Sequence, residues 1–164
     1  MMGGRDSPFI KLKILWPGKT RNREIRNLQE SYIQKINRLE KCEVIETKEA
    51  RGLEERFSAK IKKIEAEGLE KHFGDDYIIC LSERGKEMSS KEFSRFLERR
   101  MSSSSRTMTF VVGGFLGLEE RIMKKAHFLL SLSKMTFSHE LTRLFLLEQI
   151  YRSLTMLKGH QYAK

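Results

Sequence analysis

The sequence predicts an α/β fold, a mostly parallel sheet with helices on both faces, and three observations predict it. Strand and helix signals alternate from one end of the chain to the other. The short apolar run "DYIICL" (Asp76 to Leu81) is bounded by turn residues, as expected of a strand buried on both faces. The connecting segments carry apolar residues at helical spacing, so each strand has a helix to cover it.

Taken in order, "FIKLKILW" (Phe9 to Trp16) alternates apolar and polar residues at period two and stops at "PGKTRN", which predicts a first strand and its turn. Ile25, Leu28, Tyr32, Ile36 and Leu39 fall on one face of a helix running from Arg23 to Leu39. "CEVIET" reads as a short second strand. Residues 48–57 are densely charged and assign themselves to no element, whereas Ile61, Ile64 and Leu69 predict a helix ending near Phe73 and Gly74.

After the third strand, "SERGKEMSS" reads as a loop. Ser89 and Glu92 then have the spacing of a capping box, opening a helix whose buried face carries Phe93, Phe96 and Leu97 and which "SSSS" ends. "TMTFVVGG" predicts a fourth strand running into glycines, "LEERIMKKAHF" a modest helix, and "FLLSLS" a fifth strand. The last helix follows "KMTFSHE". It carries Leu141, Leu144, Phe145, Ile150, Tyr151, Leu154 and Leu157, with Gly159 as its stop. A single domain over residues 1–164 is expected, without repeats or linkers.

Composition narrows the function classes. Lys and Arg outnumber Asp and Glu by 32 to 22, a net charge of +10, which favours polyanionic partners such as RNA, DNA or anionic membranes without choosing among them. No apolar stretch approaches a bilayer span and "MMGGRDSPF" lacks the hydrophobic region of a secretory signal, so a cytoplasmic protein without a membrane partner is expected. From Met2, "MGGRDS" matches a loose myristoylation pattern, read here as chance. Cys42 and Cys80 have no metal or redox spacing and sit in strand-like segments as small buried hydrophobes. His72 and His127 offer no partner at metal-ligand spacing, and no metal is expected. No Ser or Cys stands in a nucleophile elbow.

In an open parallel sheet, ligands bind at loops beyond the C-terminal strand ends. The three such loops are "SERGKEMSS", "GGFLG" and "SKMTFSHE". Gly113, Gly114 and Gly117 do not have G-x-G-x-x-G spacing, and no Gly-Lys-Ser/Thr follows, so "FVVGGFLG" is either a tight strand-to-helix turn or a ligand-facing one. His139 and His160 flank the last helix, where each is either a hydrogen-bonding surface residue or a participant in chemistry. Arg143, Glu148 and Arg152 lie on that helix. Glu148 precedes Arg152 by one turn, which fits a surface pair or cations available to phosphates.

Together, "YIICLSERGKEMSSKEF", "FVVGGFLGL" and "LSLSKMTFSHELTRLFLLEQIYRSLTMLKGHQYA" resemble the RlmH family of SPOUT-class enzymes, in matching order over nearly the whole chain. The resemblance implies a parallel sheet whose C-terminal segment forms a deep trefoil knot, a homodimer with its pocket near the interface, and methylation of N3 of a pseudouridine in 23S ribosomal RNA from S-adenosyl-L-methionine. It implies cofactor-binding roles for Leu81, Gly114, Leu132, Ser133, Lys134, Met135, Thr136 and Phe137. His139 matches the family's Pro-His position and Tyr162 the tyrosine of its terminal Pro-Tyr-His-Arg tail. These are the residues expected to orient the base or relay its proton, with Arg143, Arg152 and Lys164 holding the phosphates of ribosomal RNA or of an assembled ribosome.

The chain departs from the family pattern at five positions. Phe115, Ser138 and Gln161 replace prolines, Ala163 replaces the tail histidine, and Lys164 replaces an arginine with a point charge that makes no bidentate contact. The altered tail leaves open an RNA-binding protein with weakened catalysis, and a methyltransferase with another RNA target is the further alternative.

Overall fold

The structure, a computed structural model, describes residues 11–103 and 106–159. Phe9 and the tail residues His160 to Lys164 lie outside them. Strands β1 (Leu12–Pro17), β2 (Cys42–Thr47), β3 (Tyr77–Glu87), β4 (Met108–Val111) and β5 (Phe128–Ser131) form one sheet in the order β2-β1-β4-β3-β5, and every neighbouring pair is parallel. The helices are α1 (Arg23–Asn37), α2 (Ser58–Glu70), α3 (Ser90–Ser103), α4 (Glu120–Lys125) and α5 (His139–Leu157). The charged stretch 48–57 is the β2–α2 connection, with a 3-10 turn at Glu55–Phe57.

Period-two alternation distributes the strand side chains between two cores. Leu12, Ile14, Trp16, Ile79, Phe110 and Leu130 pack with Ile36 of α1, Phe93, Phe96 and Leu97 of α3, and Leu146, Leu147 and Ile150 of α5. The intervening residues Leu15, Ile78, Cys80 and Val111 face the other way, onto Ala66 and Leu69 of α2 and Ile122 of α4. Helices therefore cover both faces, and all of β4 is buried, as a central parallel strand requires. Both cysteines are buried, and burial pushes their thiols up to about 12.

Local signals set the helix starts. The Asn22 side chain accepts from the Ile25 N–H to cap α1. At α3 the reciprocal box forms as spaced: the Ser89 N–H donates to Glu92 Oε1 at 2.8 Å and the Glu92 N–H to Ser89 Oγ at 3.0 Å. Helix α5 packs between α1 and α3, with buried Leu144, Leu146, Leu147, Ile150 and Leu154, so its apolar residues serve two neighbours rather than one stripe.

One element differs from expectation. "SERGKE" is not a plain loop but the second half of β3, and Leu81 and Lys86 both register with Leu130, so Ser82 to Gly85 bow out between two pairings with the same strand. Periodicity could not reveal this, because the stretch is polar and its pairing depends on a strand far along the chain. Gly85 permits it: a β-carbon there would stand 2.6 Å from the Leu129 carbonyl carbon, so the two backbones touch where any side chain would collide.

Candidate active site

Beyond the C-terminal ends of β3, β4 and β5, the bowed segment, the glycine turn and the 132–137 loop enclose a cleft of about 500 Å³, closed on one side by the first turn of α5. The volume suits a nucleoside-sized ligand. Leu81, Gly114, Leu132, Ser133, Met135, Thr136, Phe137 and His139 all line it. Lys134 is the exception: its side chain is 87% exposed and its ammonium group sits 4.0 Å from Glu87, away from the lining.

Internal hydrogen bonds shape the walls. Ser133 Oγ accepts from the Met135 N–H at 2.9 Å, and the Ser133 carbonyl accepts from Ser131 Oγ at 3.0 Å, which folds the loop back over β5. Thr136 Oγ1 donates to Glu83 Oε1 at 2.9 Å and fastens this loop to the bowed part of β3. The glycine turn closes through the Gly117 N–H to the Gly114 carbonyl at 2.9 Å. A β-carbon on Gly113 would come within 2.6 Å of the Gly117 carbonyl carbon, and one on Gly114 within 2.8 Å of Glu65 Oε1. Gly113 is required by close approach of backbone to backbone, whereas at Gly114 a side chain would have to displace the carboxylate end of Glu65.

The rim is apolar. Phe115 is 54% exposed and Met135 74% exposed at the mouth. Phe137 meets Phe145 edge to face at 5.0 Å, dividing the cleft from a second cavity of about 290 Å³ between α3 and α5.

The first turn of α5 is anchored from below. Ser138 Oγ caps it by accepting from the Leu141 N–H at 3.3 Å. Glu140 reaches to the β1–α1 turn, where its carboxylate accepts from the Arg21 N–H at 2.7 Å and the Asn22 N–H at 3.1 Å. Burial pushes the Glu140 carboxyl up, but those two N–H groups prevail and hold it below its ordinary value. His139, half-buried at the cleft, is held below the ordinary histidine value by burial and then by the Arg143 guanidinium, so its imidazole is neutral at pH 7 and able to accept a proton.

Arg143 corrects an expectation. Read from the sequence as a phosphate-holding cation, it is fully buried, donating to the Pro17 carbonyl at 2.7 Å, Thr20 Oγ1 at 3.1 Å and the Gly18 carbonyl at 3.3 Å. Its guanidinium lies 4.9 Å over the Trp16 ring. Burial pushes its pKa down to about 10, which leaves it charged at pH 7 but out of reach of an RNA phosphate. Arg152 is half-buried, and its guanidinium pairs with Glu148 at 2.7 Å. Tyr162 and Lys164 lie outside the described residues.

The residues that sequence reasoning did not single out include Val112, Leu118, Met123, Ser131 and Thr142 in the lining and Glu65 behind it. Only the neighbouring glycines signalled Val112 and Leu118, and nothing in spacing signalled Glu65. Among the described residues no group of three or more His, Cys, Asp or Glu could hold a metal ion, and no helix is long and apolar enough to cross a membrane. His127 serves the sheet: its Nδ1 accepts from the Ile78 N–H at 2.9 Å and its ring stacks on Tyr77.

The chain matches the family model described as "Predicted SPOUT methyltransferase" over residues 10–163. It is 38% identical to the ribosomal RNA large subunit methyltransferase H of Thermodesulfovibrio yellowstonii, over 94% of this chain and 99% of that one. It is 35% identical to the protein of the same description from Streptococcus agalactiae serotype III, over 94% of this chain and all of that one. A solved structure described as a probable methyltransferase from Bordetella pertussis Tohama I superposes with a TM-score of 0.55 at 10% identity, covering 90% of this chain and 96% of that one, a likeness of fold. With the family match spanning the sheet, the cleft and α5 together, the protein belongs to the SPOUT methyltransferases and, among them, to the ribosomal RNA large subunit methyltransferase H family.

Proposed function

We propose that this enzyme transfers the methyl group of S-adenosyl-L-methionine to N3 of a pseudouridine in 23S ribosomal RNA, acting as a cytoplasmic homodimer on the RNA or on an assembled ribosome. The observation that carries this reading is the convergence on one cleft of the glycine turn, the 132–137 loop and His139, in a chain of this family.

The cleft fits the donor. Gly113 and Gly114 line it with no side chain of their own, and Gly113 packs its backbone against Gly117. Leu81, Leu132, Met135 and Phe137 supply apolar cover, and Ser133 and Thr136 keep the loop folded. When bound, the donor supplies an already activated methyl group on a sulfonium. The remaining work is alignment and removal of the N3 proton. His139, neutral and at the cleft, is placed to accept that proton on its imidazole or to orient the base, and Tyr162 of the tail is assigned to the same task. Arg152 and Lys164 are assigned to phosphates, with the +10 charge drawing the RNA in.

The bowed β3 and the backbone contact of Gly85 with Leu129 support a knotted passage of the C-terminal segment, a topology ordinary chains avoid. The exposed Phe115 and Met135 beside the cleft support a partner subunit at its mouth. Ala163 favours a second reading, RNA binding with weakened catalysis. Mass spectrometry of large-subunit RNA from a deletion strain tests the first. N3-methylpseudouridine should disappear, and its persistence would assign the enzyme another target or none.

A further inference from the structure

The wall of the cleft made by the glycine turn has a charged backing. Glu65 of α2 is 5% exposed. Its Oε1 lies 2.8 Å, and its other carboxyl atoms 3.5 Å, from where a β-carbon on Gly114 would stand. Gly114 itself lines the cleft, so one glycine backbone separates the carboxylate from the cavity. Filling space behind a glycine needs no charge, and a buried carboxylate costs free energy that an apolar or amide side chain would avoid.

Burial pushes the Glu65 carboxyl above its ordinary value, and among the described residues no cation pairs with it directly. The Ala50 N–H donates to it and Glu49 repels it, both from the β2–α2 connection. Arg143 of α5 directs its guanidinium to Pro17, Gly18 and Thr20, and so acts on Glu65 through space rather than as a partner. Of the charged side chains in the lining, Arg84 is paired with Glu120, and Glu83 is exposed, where water screens it. A charge behind a dry wall is felt across several ångströms more strongly than one at the solvent face.

Resting on the reading of the cleft as the donor site, the geometry points to Glu65 as a specificity-determining residue. Its carboxylate, held behind Gly114, favours the cationic sulfonium of the methyl donor over the neutral thioether left after transfer. Product is thereby disfavoured once the methyl group has gone.

S-adenosylmethionine and S-adenosylhomocysteine differ only by the methyl group and its positive charge, so the ratio of their affinities isolates the effect. Calorimetry on the full chain at pH 8 would give both dissociation constants for the wild type, Glu65→Gln and Glu65→Asp. The preference for donor over product should fall about three- to tenfold in Glu65→Gln, chiefly through weaker donor binding, and less in Glu65→Asp, which keeps the charge but draws it back by one methylene. An unchanged ratio with both ligands still bound would overturn the inference and leave Glu65 a packing role. If Glu65→Gln fails to fold, the ratio in Glu65→Asp decides: a fall supports the charge and an unchanged ratio overturns it. Failure of the wild type to bind either ligand would instead sink the donor-site reading on which the inference rests.

Discussion

The guanidinium of Arg143 lies 4.9 Å over the indole ring of Trp16, and this pair joins the first turn of the last helix to the end of the first strand. Replacing Arg143 with Ala leaves the carbonyls of Pro17 and Gly18 without their donor and opens a void beside Trp16. A loss of about 2–4 kcal/mol in unfolding free energy is expected from urea denaturation. RNA affinity of the folded fraction should keep its salt dependence. A variant of native stability with weakened RNA binding would return Arg143 to the phosphate-holding role.

Gly114→Val tests the glycine turn. The new side chain meets Glu65 Oε1 behind the turn, so the carboxylate and the turn that lines the cleft must shift apart, and donor affinity should fall by about tenfold or more while the fold persists. Equal affinity by calorimetry would show that the donor binds elsewhere.

His139 is held below the ordinary histidine value, which fixes the sign of its pH dependence. The neutral imidazole is the native form. Its stabilising contribution is present in full above the ordinary value near 6.5 and is lost as pH falls toward the lower folded value. Turnover should therefore show an acid limb below pH 6.5, and His139→Ala should remove that limb and reduce turnover by about 10²-fold or more with little effect on donor binding. Equal losses in turnover and donor affinity would assign His139 a structural role.

Ala163 stands where the family tail carries histidine. Ala163→His is expected to raise turnover without changing donor affinity, measured on the same ribosome preparation. A fall in turnover would show that this chain has settled on a different tail arrangement.

Much of the fold was legible because its signals are local. Period-two alternation in "FIKLKILW", the run "DYIICL" and the Ser89–Glu92 spacing each specify an element from a few neighbouring residues, and β1, β3 and α3 follow. What spacing could not reveal depends on distant partners. The extension of β3 through Glu87 needs β5 beside it, and the burial of Arg143 needs the carbonyls of a turn more than a hundred residues earlier. The cleft was legible as three loops, and the family resemblance singled out eight of its lining positions. Glu65 was not, because a glutamate on a lysine-rich helix looks like a solvated one until the glycine turn is packed against it.

Methyl transfer to a ribosomal pseudouridine can be followed in a single turnover. Enzyme, S-adenosylmethionine with a labelled methyl group, and ribosomes lacking the modification would be mixed, and the labelled nucleoside identified by mass spectrometry. Label in N3-methylpseudouridine of large-subunit RNA is the predicted result. Donor binding without label in any RNA would contradict it, leaving an RNA-binding protein whose tail, with Ala163 and Lys164, no longer completes the site.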